Sequence, residues 1–128
     1  MRIFIADDSE ELCSRLVEIL SEIRGLQIVG VARNKKEALD GIAKHKPDVV
    51  ILDIRMPDGN GISVLNVIKK QKRPPLAIMF TNYPYLQYRK KCLEDGADFF
   101  FYKALEFEKM IDLINDLFKK YQANILFS

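Results

Sequence analysis

A chain of 128 residues that is 48% hydrophobic and 30% charged, with a formal net charge of +2, has material for one well-buried core and no room for a second domain. The charge is nearly balanced, and the basic runs Lys69-Lys70, Lys72-Arg73, Arg89-Lys90-Lys91 and Lys119-Lys120 fall where helices present solvent-facing residues, so no direct nucleic-acid binding is expected. The N-terminus, MRIFIADDSE, turns acidic too soon for a signal peptide and no apolar run approaches the length of a membrane span, which excludes a membrane role and makes the cytoplasm the expected compartment.

Arg2 to Ala6 is a short apolar run ending abruptly in Asp7-Asp8, the pattern of a buried parallel strand that emerges into a loop. From Ser9 to Arg24, Leu12, Leu16, Ile19, Leu20 and Ile23 recur at helical spacing, with Gly25 as a C-terminal cap. Leu26 to Ala32 reads as the second strand. Asn34-Lys35-Lys36-Glu37 has the form of a capping box opening a second helix that Pro47 closes. Asp48 to Asp53 follows at once, and its four consecutive apolar residues, Val49 to Leu52, predict a strand covered on both faces at the centre of a sheet.

Met56 to Gly61 is turn chemistry, and Ile62, Val64, Leu65 and Ile68 predict a third helix that Pro74-Pro75 ends. Leu76 to Phe80 predicts a fourth strand stopping at Thr81, Pro84 to Gly96 a helix of mixed polarity, and Ala97 to Tyr102 a fifth strand stopping at Lys103. A last helix, from about Glu106 to Gln122, carries Phe107, Met110, Ile111, Ile114, Leu117, Phe118 and Tyr121 on one stripe. Five βα units without a repeat or linker predict one α/β domain with a doubly wound, five-stranded parallel sheet, and such sheets bind ligands beyond the carboxyl ends of their strands. Cys13 and Cys92 lack CxxC or Cys/His spacing and read as reduced packing residues, and His45, the only histidine, leaves no multi-histidine metal site.

At those strand ends stand Asp7-Asp8, Asp53, Thr81 and Lys103. If the strand order is 2-1-3-4-5, the first and third strands are neighbours, and three carboxylates converge while a hydroxyl and an ammonium flank them. Asp8 taken alone reads first as a helix N-cap. Unit charges about 5 Å apart repel by roughly 3 kcal/mol at an effective dielectric near 20, so the three acids together call for a cation. Mg²⁺ suits them, being a hard ion that takes carboxylates, a carbonyl, waters and a phosphoryl oxygen. Asp53, rigidly held at the end of the central strand, suits a carboxylate nucleophile, with Thr81 and Lys103 as donors to the transferred phosphoryl oxygens.

Together ADDSE (residues 6–10), ILDIRMPDGNG (51–61), IMFTN (78–82) and GADFFFYK (96–103) resemble the receiver domain of two-component response regulators, over essentially the whole chain. The resemblance implies a flavodoxin-like receiver domain over residues 1–122 with a short C-terminal tail at 123–128. It implies Asp53 as the phosphoacceptor, Mg²⁺ held by Asp7, Asp8, Asp53 and the backbone carbonyl of Arg55, phosphoryl contacts from Thr81 and Lys103, and Phe100 as a switch aromatic that turns inward as Thr81 moves. The implied partners are a sensor histidine kinase or phosphotransfer protein upstream, and a downstream protein on the face of the fourth helix, fifth strand and fifth helix. A homodimer is left open. The domain would catalyse only its own phosphorylation and dephosphorylation.

Three positions depart from the commonest family pattern. Asn82 stands where Ala or Gly is usual and is expected to crowd or hydrogen-bond the mouth of the site. Ala104 replaces a cis-forming Pro, so the loop into the last helix need not be cis, as in receivers of helix-turn-helix regulators. An output of that type needs more chain than 128 residues hold, so a domain without an attached effector is expected, and the receiver part of a longer DNA-binding regulator is an alternative. Arg55 and Tyr83 occupy the positions that tune phosphoryl lifetime, and their bulk predicts a shielded, longer-lived acyl phosphate.

Aromatics concentrate between Phe80 and Phe107, and alternation in an edge strand places either Phe99 and Phe101 or Phe100 and Tyr102 near Tyr85 and Tyr88, as an interface patch or as plain packing. Ile125-Leu126-Phe127 has three readings: a disordered end, packing on the domain itself, or a partner contact. Of the competing functions, an FMN or nucleotide binder would want a Ser/Thr/Gly-rich phosphate loop where ADDSE puts acids. An aspartyl-phosphate phosphatase would want a second acid where Arg55 stands. A receiver-shaped scaffold that is never phosphorylated would have little use for the complete acidic set.

Overall fold

The computed structural model describes residues 1–127, with side chains described as far as 124, so the three readings of Ile125-Leu126-Phe127 lie outside the described side chains. Its elements are β1 (Arg2–Ala6), α1 (Glu10–Ser21), β2 (Gln27–Ala32), α2 (Lys35–His45), β3 (Val49–Leu52), β4 (Arg55–Met56), β5 (Gly59–Asn60), α3 (Gly61–Ile68), β6 (Leu76–Thr81), α4 (Leu86–Glu94), β7 (Phe99–Tyr102) and α5 (Lys103–Phe127). Five strands form one parallel sheet in the order β2-β1-β3-β6-β7, which is the predicted 2-1-3-4-5 order, and β4 and β5 pair as a separate small hairpin.

Side-chain alternation in β3 divides the core. Val50 and Leu52 face α2, α3 and α4, packing with Ile42, Leu65, Ile68 and Cys92, whereas Val49 and Ile51 face α1 and α5, packing with Leu16, Leu20, Met110 and Ile114. Both faces of the central strand are therefore dry, which explains its unbroken apolar run. Burying a Leu or Ile in this way is worth roughly 1.5–3 kcal/mol each, so the two layers fix β1 and β3 firmly and with them the residues at their ends.

The helix starts obey local rules. Ser9 accepts the Leu12 N–H at 3.2 Å, Asn34 accepts the Glu37 N–H at 2.8 Å and Asn60 accepts the Ser63 N–H at 2.9 Å, each satisfying an otherwise unpaired amide of a first turn. Glu37 reaches back to the Arg33 N–H at 3.1 Å, completing the predicted capping box one residue earlier than the simplest form. Lys46 closes α2 in the left-handed region (φ 47) ahead of Pro47.

Some boundaries differ from expectation. The first helix stops at Ser21, and Gly25 (φ 95) instead turns the chain into β2. The fourth helix is shorter than Pro84–Gly96, with no side-chain cap at its start. The last helix begins at Lys103, but Glu106 has non-helical angles (φ −128, ψ 21), so a single turn precedes the long apolar-faced segment. Among the described residues no helix is long and apolar enough to cross a membrane. Arg89, Lys90, Lys91, Lys72, Arg73, Lys119 and Lys120 are exposed, as the solvated-face reading requires, and Lys69 is tied to Asp98 at 2.7 Å.

Candidate functional site

The site lies where the strand order of the parallel sheet reverses. From β1 the order runs to β2 on one side and to β3 on the other, leaving a crevice at the carboxyl ends of β1 and β3. The register pairs Ala6 with Leu52, so the next residues, Asp7 and Asp53, emerge side by side. Their backbones stay in the ladder: Asp7 N–H donates to the Ala32 carbonyl at 2.9 Å and Asp53 N–H to the Ala6 carbonyl at 3.0 Å. Asp7 and Asp53 are only 3% and 6% exposed and Thr81, ending β6, is 1% exposed, whereas Asp8 is open to solvent. Because Ser9 is the N-cap of α1, Asp8 has no capping task, contrary to what it suggests in isolation.

Lys103, the first residue after β7, sends its ammonium between the two buried acids, 2.6 Å from Asp7 Oδ2 and 2.9 Å from Asp53 Oδ2. The remaining oxygens are held by backbone amides, Asp7 Oδ1 by Ser9 N–H at 2.9 Å and Asp53 Oδ1 by Ile54 N–H at 2.7 Å. Burial raises the Asp7 carboxyl above its ordinary value, aided by the Asp53 charge, and the bonds from Lys103 and Ser9 only partly offset this. Burial alone would lower the Lys103 ammonium, but the hydrogen bond to Asp7 and the charge of Asp53 outweigh it and hold the lysine above its usual value.

Asp7, Asp8 and Asp53 each offer a carboxylate oxygen, all within 4.8 Å of one another. The donor set is all oxygen. The neighbouring Cys13 thiol donates to the Asp7 carbonyl at 3.5 Å, and burial pushes it up to about 11, so it stays protonated and offers no soft ligand. A hard divalent ion of the Mg²⁺ type fits such a set better than zinc. The carbonyl of Arg55 follows on the β4–β5 hairpin, whose position depends on Gly61. A side chain there would put its Cβ 1.9 Å from the Asp53 carbonyl oxygen, and Gly61 N–H instead donates to the Ile54 carbonyl at 2.7 Å.

Asp8, Asp53, Arg55, Thr81, Asn82, Tyr83, Tyr85 and Lys103 line one open cleft of about 600 Å³, so all but one of the polar site residues expected from the sequence border a single space, and Asp7 lies just beneath it. Asn82 does not reach toward the acids. Its side-chain oxygen accepts the Ala104 N–H at 3.1 Å, a bond that a proline at 104 could not supply, so the two departures from the family pattern are one interaction. Among the described residues there is no cis peptide bond. Phe100, 6% exposed, packs inward with Tyr102 at a centroid distance of 5.2 Å. The edge-strand ambiguity resolves accordingly: Phe100 and Tyr102 lie on the α4 side, Phe99 and Phe101 on the α5 side.

Sequence reasoning missed how the mouth of the cleft is built. Tyr83, Tyr85 and Tyr88 form a cluster with centroids 4.7–6.2 Å apart, and the Arg55 guanidinium lies over the Tyr83 ring at 5.5 Å. The i, i+2, i+5 spacing crosses a loop into a helix, so no single period exposes it.

Residues 3–115 match the response regulator receiver domain. The sensory transduction protein LytT of Bacillus anthracis is 30% identical over 125 residues, covering 98% of this chain and 50% of that protein, so the chain spans about half the length of the curated relatives it matches. Among solved structures, a DNA-binding response regulator of the LuxR family from Staphylococcus aureus superposes with a TM-score of 0.82 at 28% identity, over 90% of this chain and 96% of that one. The response regulator domain of Thermotoga maritima CheB gives a TM-score of 0.81 at 28% identity over 94% of each.

Proposed function

The chain belongs to the response regulator receiver domain family, and from that membership we propose that Asp53 accepts a phosphoryl group from a histidine kinase or phosphotransfer protein and that the resulting charge switches a protein-interaction face. One observation carries the residue assignment: the Lys103 ammonium bridges the buried Asp7 and Asp53 at the floor of a cleft whose wall holds the Thr81 hydroxyl. A site with this charge pattern is built to exchange counter-charges when a dianion arrives.

In the transfer, a carboxylate oxygen of Asp53 attacks phosphorus while the donor's P–N bond, or P–O bond in acetyl phosphate, breaks and its electron pair leaves with the donor. Lys103 is placed to move from the carboxylate oxygen to a phosphoryl oxygen, and Thr81 to turn its hydroxyl to another. Asp7, Asp8, Asp53 and the Arg55 carbonyl would hold Mg²⁺, which when bound neutralises charge on the transferred group. In dephosphorylation a water oxygen attacks phosphorus, the P–O bond to Asp53 breaks with its electron pair returning to the carboxylate, and the water's protons leave with inorganic phosphate and solvent; the bulk of Arg55 and Tyr83 at the mouth restricts the in-line approach of that water. The domain thus acts on itself and has no external product.

Output follows from displacement. Thr81 accepts the Tyr83 N–H at 3.2 Å, so its movement is felt at once in the loop before α4, and the inward Phe100 is the ring expected to follow it. The α4–β7–α5 face, with Tyr85 and Leu86 exposed, is the proposed contact for a downstream protein. A second reading, the receiver part of a longer DNA-binding regulator, is favoured by the half-length span of the relatives and by the kind of protein the Staphylococcus aureus structure represents.

The experiment is loading with acetyl phosphate and Mg²⁺, read by intact mass beside Asp53→Asn. The wild type is expected to gain one phosphoryl group and the variant none; equal labelling of both would remove the assignment. Following the decay of the loaded form tests the shield: Tyr83→Ala should shorten it, and a half-life of seconds unchanged by that substitution would end the shielding idea.

A further inference from the structure

The cleft beside Asp53 contains two cations, and only one is committed. Lys103 is held by two carboxylates, whereas among the described residues the Arg55 guanidinium makes no ion pair or hydrogen bond and rests on the face of Tyr83. Tyr83 in turn has two anchors on the cleft side, the Arg55 guanidinium over its ring and the Thr81 hydroxyl that accepts its N–H. The same ring meets Tyr85 and Tyr88 edge-on at 5.2 and 4.7 Å. Tyr85 is the residue before α4, and that helix starts with no side-chain cap bond to hold it.

We propose that Arg55 is a phosphoryl-binding residue, whose guanidinium leaves the Tyr83 ring for the phosphoryl oxygens on Asp53 and so frees the Tyr83–Tyr85–Tyr88 cluster at the start of α4. The inference rests on the reading that Asp53 is phosphorylated. A guanidinium over a partly exposed ring is weakly held, whereas its fork matches two oxygens of a phosphoryl dianion with charge-assisted bonds, so the exchange is downhill once the dianion is present. Both anchors of Tyr83 are groups that the same dianion attracts. Their simultaneous loss makes the tyrosine cluster a second reader beside Phe100, one that senses charge rather than the space vacated by Thr81.

Beryllofluoride with Mg²⁺ is the probe, and NMR of the Arg55 side-chain N–H, the tyrosine rings and the backbone amides is the readout. On loading, the wild type should show the Arg55 Nε–H moving together with the rings of Tyr83 and Tyr88. In Arg55→Met, which keeps the backbone carbonyl and the stem, the affinity for beryllofluoride should fall at least roughly tenfold, the least expected for loss of even one of the two hydrogen bonds to a charged group. Its Tyr83 ring should start displaced and respond less, while the Thr81 and Phe100 amides shift as in the wild type. Arg55→Lys should recover part of the affinity. A wild-type Arg55 side chain and Tyr83 ring that do not move while Asp53 and Lys103 do, or an Arg55→Met protein with unchanged affinity, would overturn the proposal. No shift at Asp53 or Lys103 in any variant would overturn the phosphoacceptor reading, and this proposal with it.

Discussion

Replacing Lys103 by Met removes the ammonium while keeping most of the apolar stem, and so separates its charge from its packing. Two carboxylates that are 3% and 6% exposed then face each other with no cation. Breaking a buried pair by deleting one partner costs about 3–5 kcal/mol, and the lower end applies because the Lys103 side chain is 14% exposed. For a chain of this size about 3 kcal/mol corresponds to a fall in Tm on the order of 10 °C. The repulsion left behind is about 3.5 kcal/mol for oxygens within 4.8 Å at an effective dielectric near 20. A divalent ion in the cluster relieves that repulsion, so Mg²⁺ should stabilise Lys103→Met more than it stabilises the wild type. Urea unfolding followed by far-UV circular dichroism, with EDTA and then with Mg²⁺, measures both effects. A variant that loses less than about 1 kcal/mol in EDTA and gains no more from Mg²⁺ than the wild type would refute the view that this lysine compensates the acids.

Asp7 has a raised carboxyl value, so its contribution to stability is full below its ordinary value near 3.8 and is lost as the pH climbs through the raised one. In EDTA the Asp7→Asn protein should therefore gain on the wild type as the pH rises above the ordinary carboxyl value near 3.8, and its Mg²⁺ response should vanish; a gap that closes with rising pH would contradict this. Gly61→Ala drives a methyl group into the Asp53 carbonyl oxygen, and a loss of roughly 1–3 kcal/mol in urea unfolding is expected together with slower acetyl phosphate loading, whereas wild-type values for both would refute the close approach. Asn82→Ala removes the acceptor for the Ala104 N–H at the root of Lys103, so hydrogen exchange at Ala104 should accelerate, with a stability loss of about 0.5–1.5 kcal/mol; unchanged exchange would show that the bond is not formed in solution.

Features governed by short-range rules could be read directly. The Val49 to Leu52 run, the Asn34 capping box and the abrupt acids after β1 each follow from one local requirement, and the strand ends so marked carry Asp7, Asp8, Asp53, Thr81 and Lys103, whereas the strand order that brings them together entered as a supposition and through the family resemblance. What escaped depends on long-range partners. Whether Phe100 or Phe99 faces α4 turns on a pleat phase that an edge strand of four aromatics does not reveal. Asp58, read only as turn chemistry, accepts the Lys35 and Lys36 N–H groups at 2.6 and 3.0 Å and so ties the β4–β5 hairpin to the first turn of α2, and those amide contacts hold its carboxyl below its ordinary value. Asn82 and Ala104 looked like two unrelated departures, and only their mutual hydrogen bond shows why they occur together.

The central claim is that one carboxylate, Asp53, carries the phosphoryl group. Its most direct test is to load the protein with acetyl phosphate and Mg²⁺, trap the acyl phosphate by borohydride reduction, and sequence the peptides by mass spectrometry. Reduction converts an aspartyl phosphate to homoserine, so homoserine is expected at position 53 and at no other aspartate. Homoserine at Asp7 or Asp8, or none anywhere after loading shown by intact mass, would contradict it.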